Sequence, residues 1–257
     1  MNDPRTMELF FELFSGLPRQ GPGDPESTRR ALSLIPPLGP GARILDVGCG
    51  TGAQTFDLAR LSPATIVAVD FHAPFVDELN AKATRLGLGR RVRGVVGNMN
   101  HLDYPPHHFD LIWSEGAIAC MGFDAGLEAW RALLAPGGHI AVSELCWFDP
   151  RPPRECAEFL AAAYPPMRDI AANREAVERA GYEPIGEFPL PPSSWWRDYY
   201  EPLLRNIAAF RARHPGDPVA DAVAGQSELE IEIYRRHSEH YGYVFFVMRG
   251  RDDRPPA

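Results

Sequence analysis

One stretch near the start of the chain, residues 43–52, limits the possible folds more than any other. It begins with a short apolar run at residues 44–47, which is typical of a buried β-strand. Three glycines follow at alternate positions, Gly48, Gly50 and Gly52, and a helical pattern begins directly after them. A strand, a glycine turn and a helix in this order open a nucleotide-binding βαβ unit. Glycine suits such a turn because a residue without a Cβ lets the backbone bend sharply and approach a ligand.

The spacing of these glycines distinguishes between two kinds of ligand. A dinucleotide fingerprint has the pattern G-x-G-x-x-G and places a pyrophosphate at the helix N-terminus. Here the pattern is G-x-G-x-G, and an acid, Asp46, precedes it at the end of the strand. S-adenosylmethionine (SAM) carries a sulfonium, an amino group and a carboxylate, so it needs hydrogen-bond acceptors where phosphates would otherwise lie. The spacing therefore favours SAM over a dinucleotide.

The stretch Arg43–Gly52 resembles the first motif of the class I SAM-dependent methyltransferases. The segment Leu134–Ile140, with its Pro-Gly-Gly turn, matches a second segment that is usual in this fold. The resemblance covers residues 41–145 with specific motifs. More loosely, the whole chain is similar to bacterial small-molecule methyltransferases of the ubiquinone/menaquinone-biosynthesis type. The resemblance implies an α/β, Rossmann-like fold with a seven-stranded, mostly parallel sheet and helices on both faces.

The segments on either side of these motifs predict how the chain is divided. Apolar positions within residues 6–17 predict an amphipathic helix, and the Pro- and Gly-rich residues 17–27 predict a loop. We interpret residues 1–30 as an N-terminal helix and lid over the cofactor, with a plain linker as the alternative. Residues 31–257 are then the methyltransferase domain. Two helical patterns within about residues 193–240 predict a helical insertion before the last strand.

Polar residues at the predicted strand ends are candidates for the cofactor site. Asp70 ends the second strand, where an acid can accept hydrogen bonds from both hydroxyls of a ribose. Phe71 could pack on the adenine, and the amide oxygen of Asn98 could accept a hydrogen bond from the adenine amino group, where the family commonly has an aspartate. Arg19 and Gln20 of the lid are expected near the ligand. The predicted cofactor set is Asp46, Gly48, Gly50, Thr51, Gly52, Gln54, Asp70, Phe71, Asn98, Met99, Ser114, Glu115, Arg19 and Gln20.

Two carboxylates follow adjacent strands and are candidates for catalysis on the acceptor side. Glu115 follows the fourth predicted strand and Glu144 follows the fifth. Either could accept a proton from the acceptor or hold a cationic acceptor. Alternatively, Glu115 binds the cofactor or a backbone amide, and Glu144 is an ion-paired strand end. His101 is another candidate base, with an ordinary loop histidine as the alternative.

Aromatic residues in the second half of the chain predict a wall for the methyl acceptor. Seven of them lie in or beside the insertion, where they would face a cleft and could hold a flat or cationic molecule. The alternative is that they form the core of the insertion. The predicted acceptor-binding set is Trp147, Trp195, Trp196, Tyr200 and Tyr241.

Composition narrows the range of partners. The formal net charge is −8, which disfavours nucleic acid as a partner. Four cysteines without C-x-x-C spacing indicate reduced thiols and a cytoplasmic protein, and neither a signal peptide at residues 1–5 nor a membrane-spanning run is expected. No metal is expected either, because the adjacent His107 and His108 would point to opposite faces of a strand. A homodimer is an open alternative.

These features together predict an enzyme that transfers a methyl group from SAM to a small molecule. Two alternatives remain at this point. An NAD-dependent oxidoreductase is disfavoured by the glycine spacing, whereas a SAM-binding sensor or inactive partner protein would keep the same glycines. Methyl transfer to a metabolite, as opposed to binding without release, would distinguish the enzyme from the sensor.

Overall fold

The computed structural model describes residues 3–251. Residues 1–2 and 252–257 lie outside the described part. The expectation that residues 1–5 are not part of a signal peptide therefore concerns residues that are only partly described. The helices are α1 (Pro4–Phe14), α2 (Pro25–Leu32), α3 (Ala53–Leu61), α4 (Ala73–Arg85), α5 (Phe123–Arg131), α6 (Arg154–Ala163), α7 (Ile170–Arg179), α8 (Ser193–Trp195), α9 (Glu201–Arg213) and α10 (Pro218–His237). The strands are β1 (Arg43–Val47), β2 (Thr65–Asp70), β3 (Val92–Val96), β4 (Phe109–Glu115), β5 (Leu134–Trp147), β6 (Arg168–Asp169), β7 (Tyr182–Pro189) and β8 (Tyr241–Gly250).

One mixed sheet organises the described residues. Its strands lie in the order β3-β2-β1-β4-β5-β8-β7, and the two-residue β6 pairs with β5 at the side of this path. The pairs from β3 to β5 are parallel, whereas β8 runs antiparallel to both β5 and β7. The predicted seven-stranded, mostly parallel sheet is therefore confirmed, with β6 as a short addition that the sequence did not indicate.

Helices cover both faces of the sheet, as predicted. On one face, α2, α3 and α4 pack on the apolar side chains of β1, β2 and β4 in a core that includes Phe56 and Trp113. On the other face, α5 and α7 pack on the alternate side chains of the same sheet in a core that includes Trp130. The apolar runs of the central strands follow from this arrangement, since a strand covered on both faces has no solvent-facing side.

A third apolar core lies over one edge of the sheet and involves the N-terminal helix and the predicted insertion. Helix α1 packs against α9 and α10. Leu9 and Leu13 of α1 are fully buried there, together with Ile207 and Phe210 of α9. The N-terminal helix and the insertion thus form one layer, because each buries its apolar face against the other.

Strand direction explains why this layer lies over the carboxyl edge of the parallel strands. The last residues of β5 pair with the first residues of β8, as Trp147 opposite Tyr241 shows. Strand β7 is also antiparallel to β8, with Pro189 opposite Val244, so β7 ends at the same edge. The insertion between them begins and ends at that edge. In open α/β sheets this is the edge where ligands bind.

Candidate active site

The glycine turn lies at the carboxyl end of β1 and has the conformation that its sequence requires. Gly48 and Gly50 have φ angles of +74° and +53°, in the left-handed region that favours glycine. The amides of Gly48 and Cys49 donate to the carbonyl oxygen of Val69, at 2.8 and 3.1 Å. A Cβ on Gly48 would overlap the Cβ of Ala117 in the loop after β4. The turn is therefore held against β2 and leaves no room for a side chain.

Asp70 lies at the carboxyl end of β2, directly beside this turn. Its Oδ2 accepts a hydrogen bond from the amide of Gly50 at 2.9 Å, and its Oδ1 accepts one from the amide of His72 at 2.9 Å. The carboxylate lines a large cavity. Asp70 thus fixes the glycine turn from below and still presents an anionic acceptor to a ligand.

Asp46 does not reach the cavity, and the expectation that it contacts the cofactor is wrong for this structure. Its side chain is fully buried under the glycine turn. Oδ2 accepts from the hydroxyl of Thr55 at 2.5 Å, and Oδ1 accepts from the side-chain amide Nε2 of Gln54 at 3.2 Å. Burial raises the pKa of Asp46 to about 7. The residue joins the end of β1 to the first turn of α3, which positions the turn from inside the protein.

The segment between α1 and α2, which belongs to the predicted lid, forms hydrogen bonds to both the glycine turn and the insertion. Gln20 accepts hydrogen bonds through Oε1 from both the amide and the hydroxyl of Thr51, at 3.0 and 3.1 Å. Asp24 caps α2 by accepting from the amide of Ser27 at 2.8 Å, and it also accepts from the hydroxyl of Ser194 in the insertion. The amide of Gly23 donates to the carbonyl of Ser194 at 3.1 Å. The lid therefore bridges the glycine turn and the insertion.

Glu115 anchors this lid. Its Oε2 pairs with the guanidinium of Arg19, and its Oε1 accepts from the indole of Trp113 at 2.9 Å and from the hydroxyl of Thr28 at 3.0 Å. Arg19 also approaches Asp57, at 3.8 Å. Burial raises the pKa of Glu115, and the charge of Arg19 opposes the shift. Because both oxygens are occupied, the geometry contradicts Glu115 as a base on the acceptor and gives it a structural role.

The cavity has a volume of about 1020 Å³ and combines the predicted cofactor region with the space under the insertion. This volume is at the upper end of the usual range for a small-molecule site, so two ligands fit side by side. The predicted cofactor residues that line it are Gly48, Gly50, Gln54, Asp70, Phe71, Asn98, Met99, Glu115, Arg19 and Gln20. The predicted cofactor residues that do not line it are Asp46, Thr51, Gly52 and Ser114.

Each of these four residues is buried for a local reason. Thr51 lies beneath Gln20, and a Cβ on Gly52 would meet the side chains of Leu79 and Phe56. Ser114 is fully buried within β4.

The structure places two residues of the predicted aromatic wall at the cavity and three elsewhere. Trp195 and Tyr241 line the cavity. Trp147, Trp196 and Tyr200 do not, because they belong to the apolar core of the insertion layer. The other two members of the group of seven aromatics, Tyr199 and Tyr243, line the cavity in their place. Tyr243 reaches the cofactor region, since a Cβ on Gly116 would lie 3.4 Å from its hydroxyl.

The remaining candidate bases, Glu144 and His101, do not line the cavity. Strand β5 does not end before Glu144 but continues to Trp147, because its last residues pair with β8. Glu144 is 1% exposed, and neither carboxylate oxygen has a hydrogen-bond partner among the described residues. Burial raises the pKa of Glu144 to about 7, and the nearby hydroxyl of Tyr164 opposes the shift only in part. His101 is exposed and does not line the cavity. Both residues are thus corrected as direct acceptor-side bases.

The similarity to known proteins agrees with this geometry. Residues 44–138 match the family model described as a methyltransferase domain. Nocamycin O-methyltransferase from Saccharothrix syringae is 34% identical over 152 residues, which cover 58% of this chain and 50% of that protein. Phosphoethanolamine N-methyltransferase 1 from Zea mays is 26% identical over 164 residues, covering 63% of this chain and 32% of that protein.

The fold of the whole chain is that of the class I methyltransferases. A SAM-dependent methyltransferase from Geobacter sulfurreducens, solved in complex with S-adenosyl-L-homocysteine, superposes with a TM-score of 0.80 at 23% identity. The match covers 97% of this chain and 99% of that one. The chain spans about a third of the length of the plant relatives that it matches.

Outside the matched residues 44–138, the cavity is lined by a carboxylate that the sequence analysis did not identify. Glu230 of α10 lines the cavity, and its Oε1 accepts hydrogen bonds from the hydroxyls of Tyr200 and Tyr199, at 3.0 and 3.3 Å. A signal was present in the sequence. Val223, Ser227 and Glu230 follow helical spacing, so an acid falls on the buried face of this helix.

The described residues contain no cluster of three or more His, Cys, Asp or Glu side chains that could hold a metal ion. Within the same part of the chain, no helix is long and apolar enough to cross a membrane.

Proposed function

We propose that the chain transfers a methyl group from SAM to a small-molecule acceptor. One observation carries the proposal: the glycine turn, with the Asp70 carboxylate, opens into the same cavity that continues under the aromatic residues of the insertion. A methyl donor and an acceptor must lie side by side, with the reacting atoms about 3–3.5 Å apart. A single cavity with a nucleoside-binding end and an aromatic end supplies this arrangement.

The residues at the nucleoside-binding end of the cavity have the chemistry that SAM requires. Asp70 would accept hydrogen bonds from the ribose hydroxyls, while Phe71, Asn98 and Met99 would surround the adenine. The backbone of Gly48 and Gly50 would approach the amino acid part of the ligand. The Geobacter structure contains S-adenosyl-L-homocysteine, which supports the same cofactor for this chain. Arg19 and Gln20 would close the site from the lid side.

The chemistry requires positioning more than acid–base assistance. SAM supplies an electrophilic methyl group. The lone pair of the acceptor atom forms a bond to the methyl carbon while the S–C electron pair remains on sulfur, and a proton carried by the acceptor atom is released to solvent. The protein holds the two reactants in line and excludes water. The layer formed by α1, α9 and α10 covers the cavity and supports both tasks.

The same layer favours a small acceptor over a macromolecule. Side chains from α1, α6 and α10 line the cavity and close it from the side of this layer. We therefore propose residues 1–30 as lid, residues 31–257 as the methyltransferase domain and about 193–240 as the insertion that determines the acceptor. A cytoplasmic location, the absence of nucleic-acid or membrane partners and the option of a homodimer remain predictions.

Isothermal titration calorimetry with SAM, S-adenosylhomocysteine and NAD tests the cofactor. We expect one site with micromolar affinity for the first two ligands and no heat with NAD. Binding of NAD without binding of SAM would support the oxidoreductase alternative and contradict the proposal. A SAM-binding sensor would bind SAM but would not release methylated product when it is incubated with a metabolite extract.

A further inference from the structure

The aromatic end of the cavity has an unusual charge distribution. Among the described residues that line the cavity, Arg19 is the only one with a basic side chain, and it pairs with Glu115 and Asp57 at the cofactor end. Glu230 is the carboxylate at the other end. Within residues 3–251, no ion pair includes Glu230. An ionised Glu230 would therefore have no protein cation to balance it.

The position of the Glu230 carboxylate is fixed, and half of its hydrogen-bonding capacity is unused. Both tyrosine hydroxyls donate to Oε1, and no described residue donates to Oε2. Donation from Tyr199 and Tyr200 favours the ionised form, although burial raises the pKa of Glu230 overall. An unpaired carboxylate at a cavity wall is costly unless a ligand supplies a donor or a positive charge.

Aromatic rings surround the space in front of this carboxylate. Trp195 stacks on Tyr234 with ring centroids 4.0 Å apart and on Tyr243 at 5.5 Å. Tyr241 meets the ring of Trp195 edge-on at 6.3 Å. These stacked contacts hold the indole in a fixed orientation at the wall. Aromatic faces attract cations and also pack against apolar groups.

We propose that the methyl acceptor carries a protonated amine joined to a compact apolar or aromatic body, and that Glu230 binds the amine. The inference rests on the proposed function and adds the class of acceptor to it. A phosphate-bearing acceptor does not fit, because burying that anion beside Glu230 without a cation would be strongly unfavourable. Phosphoethanolamine, the acceptor named for the maize relative, carries a phosphate for which the aromatic end of this cavity offers no cation.

Three probe molecules that differ in one group test this inference. Tyramine, tyrosol and 4-hydroxyphenylacetate share a phenol ring and carry an amine, a hydroxyl and a carboxylate, respectively. Binding is measured by calorimetry on the full chain saturated with S-adenosylhomocysteine. We expect tyramine to bind at least about tenfold more tightly than tyrosol, since a hydrogen bond to a charged group contributes about 1.5–3 kcal/mol. The carboxylate should bind most weakly of the three.

Two matched variants locate the effect. Glu230→Gln keeps the shape of the side chain and removes its charge, so it should reduce the preference for tyramine over tyrosol to within about twofold. Glu228→Gln makes the same change on the same helix, where the carboxylate pairs with Arg211 at the surface, and it should keep the full preference. Circular dichroism checks that both variants fold.

The amine assignment is overturned if wild-type protein binds tyramine no more tightly than tyrosol, including the case where neither binds. It is also overturned if folded Glu230→Gln keeps the wild-type preference. SAM titrations on the same protein preparations, before S-adenosylhomocysteine is added, separate this failure from a failure of the proposed function. Protein that binds SAM but shows no amine preference loses only the acceptor class, whereas protein that does not bind SAM loses the function itself.

Discussion

Replacement of Gly48 by alanine should destabilise the fold by two separable contributions. The φ angle of +74° places the residue in the left-handed region, where a Cβ costs about 1–2 kcal/mol. The new Cβ would also overlap the Cβ of Ala117, which is too short to move aside without a backbone shift. Overpacking of this kind costs about 1–3 kcal/mol. The free energy of unfolding should therefore fall by about 2–5 kcal/mol.

Two further variants isolate these contributions. Gly87 has a similar φ of +68° and no atom within 4 Å of an added Cβ, so Gly87→Ala should lose only about 1–2 kcal/mol. Adding Ala117→Gly to Gly48→Ala removes the overlapping atom and should restore about 1–3 kcal/mol. Urea denaturation gives the free energy of unfolding for each variant. The reasoning is refuted if Gly48→Ala is no less stable than Gly87→Ala, or if the second substitution restores nothing.

Three other substitutions test the cofactor site, the lid and a buried carboxyl group. Asp70→Ala should weaken SAM binding by about 2–4 kcal/mol in calorimetry. Asp77→Ala, on the exposed side of α4, should leave the affinity for SAM unchanged. If the two variants bind SAM equally tightly, Asp70 has another role. Gln20→Ala removes two hydrogen bonds to the glycine turn. It should therefore weaken SAM binding and speed proteolysis of the proposed lid. An unchanged rate of cleavage would contradict the bridging role of Gln20. The folded pKa of Glu144 is raised from 4.5 to about 7, so wild-type stability falls as the pH rises through 7. Glu144→Gln removes the titrating group, so its free energy of unfolding relative to wild type should increase by about 3 kcal/mol between pH 4 and pH 8. A difference in unfolding free energy that does not change with pH would argue against the raised pKa.

The fold was accessible from the sequence because its signals are local. A short apolar run followed by alternating glycines identifies β1 and its turn. The end of β5 was predicted too early. Its length is set by pairing with β8, about a hundred residues later, and no local pattern around Glu144 reveals that partner.

The site was less predictable, because its geometry depends on contacts between distant segments. Asp46 and Asp70 both end strands, yet only Asp70 faces the cavity, since the side chains of Thr55 and Gln54 draw Asp46 beneath the turn. The pairing of Arg19 with Glu115 joins residues that are 96 positions apart. Glu230 could have been found from its helical spacing, which places an acid on an otherwise buried face.

The most direct test of the account is the fate of the methyl group. Wild-type protein is incubated with methyl-labelled SAM and a fractionated metabolite extract, and the labelled product is identified by mass spectrometry. The account predicts that the label moves to a molecule small enough to fit within the cavity, with one equivalent of S-adenosylhomocysteine formed for each methyl group transferred. Label found only in protein or nucleic acid, or SAM that binds but is never consumed in any fraction, would contradict it.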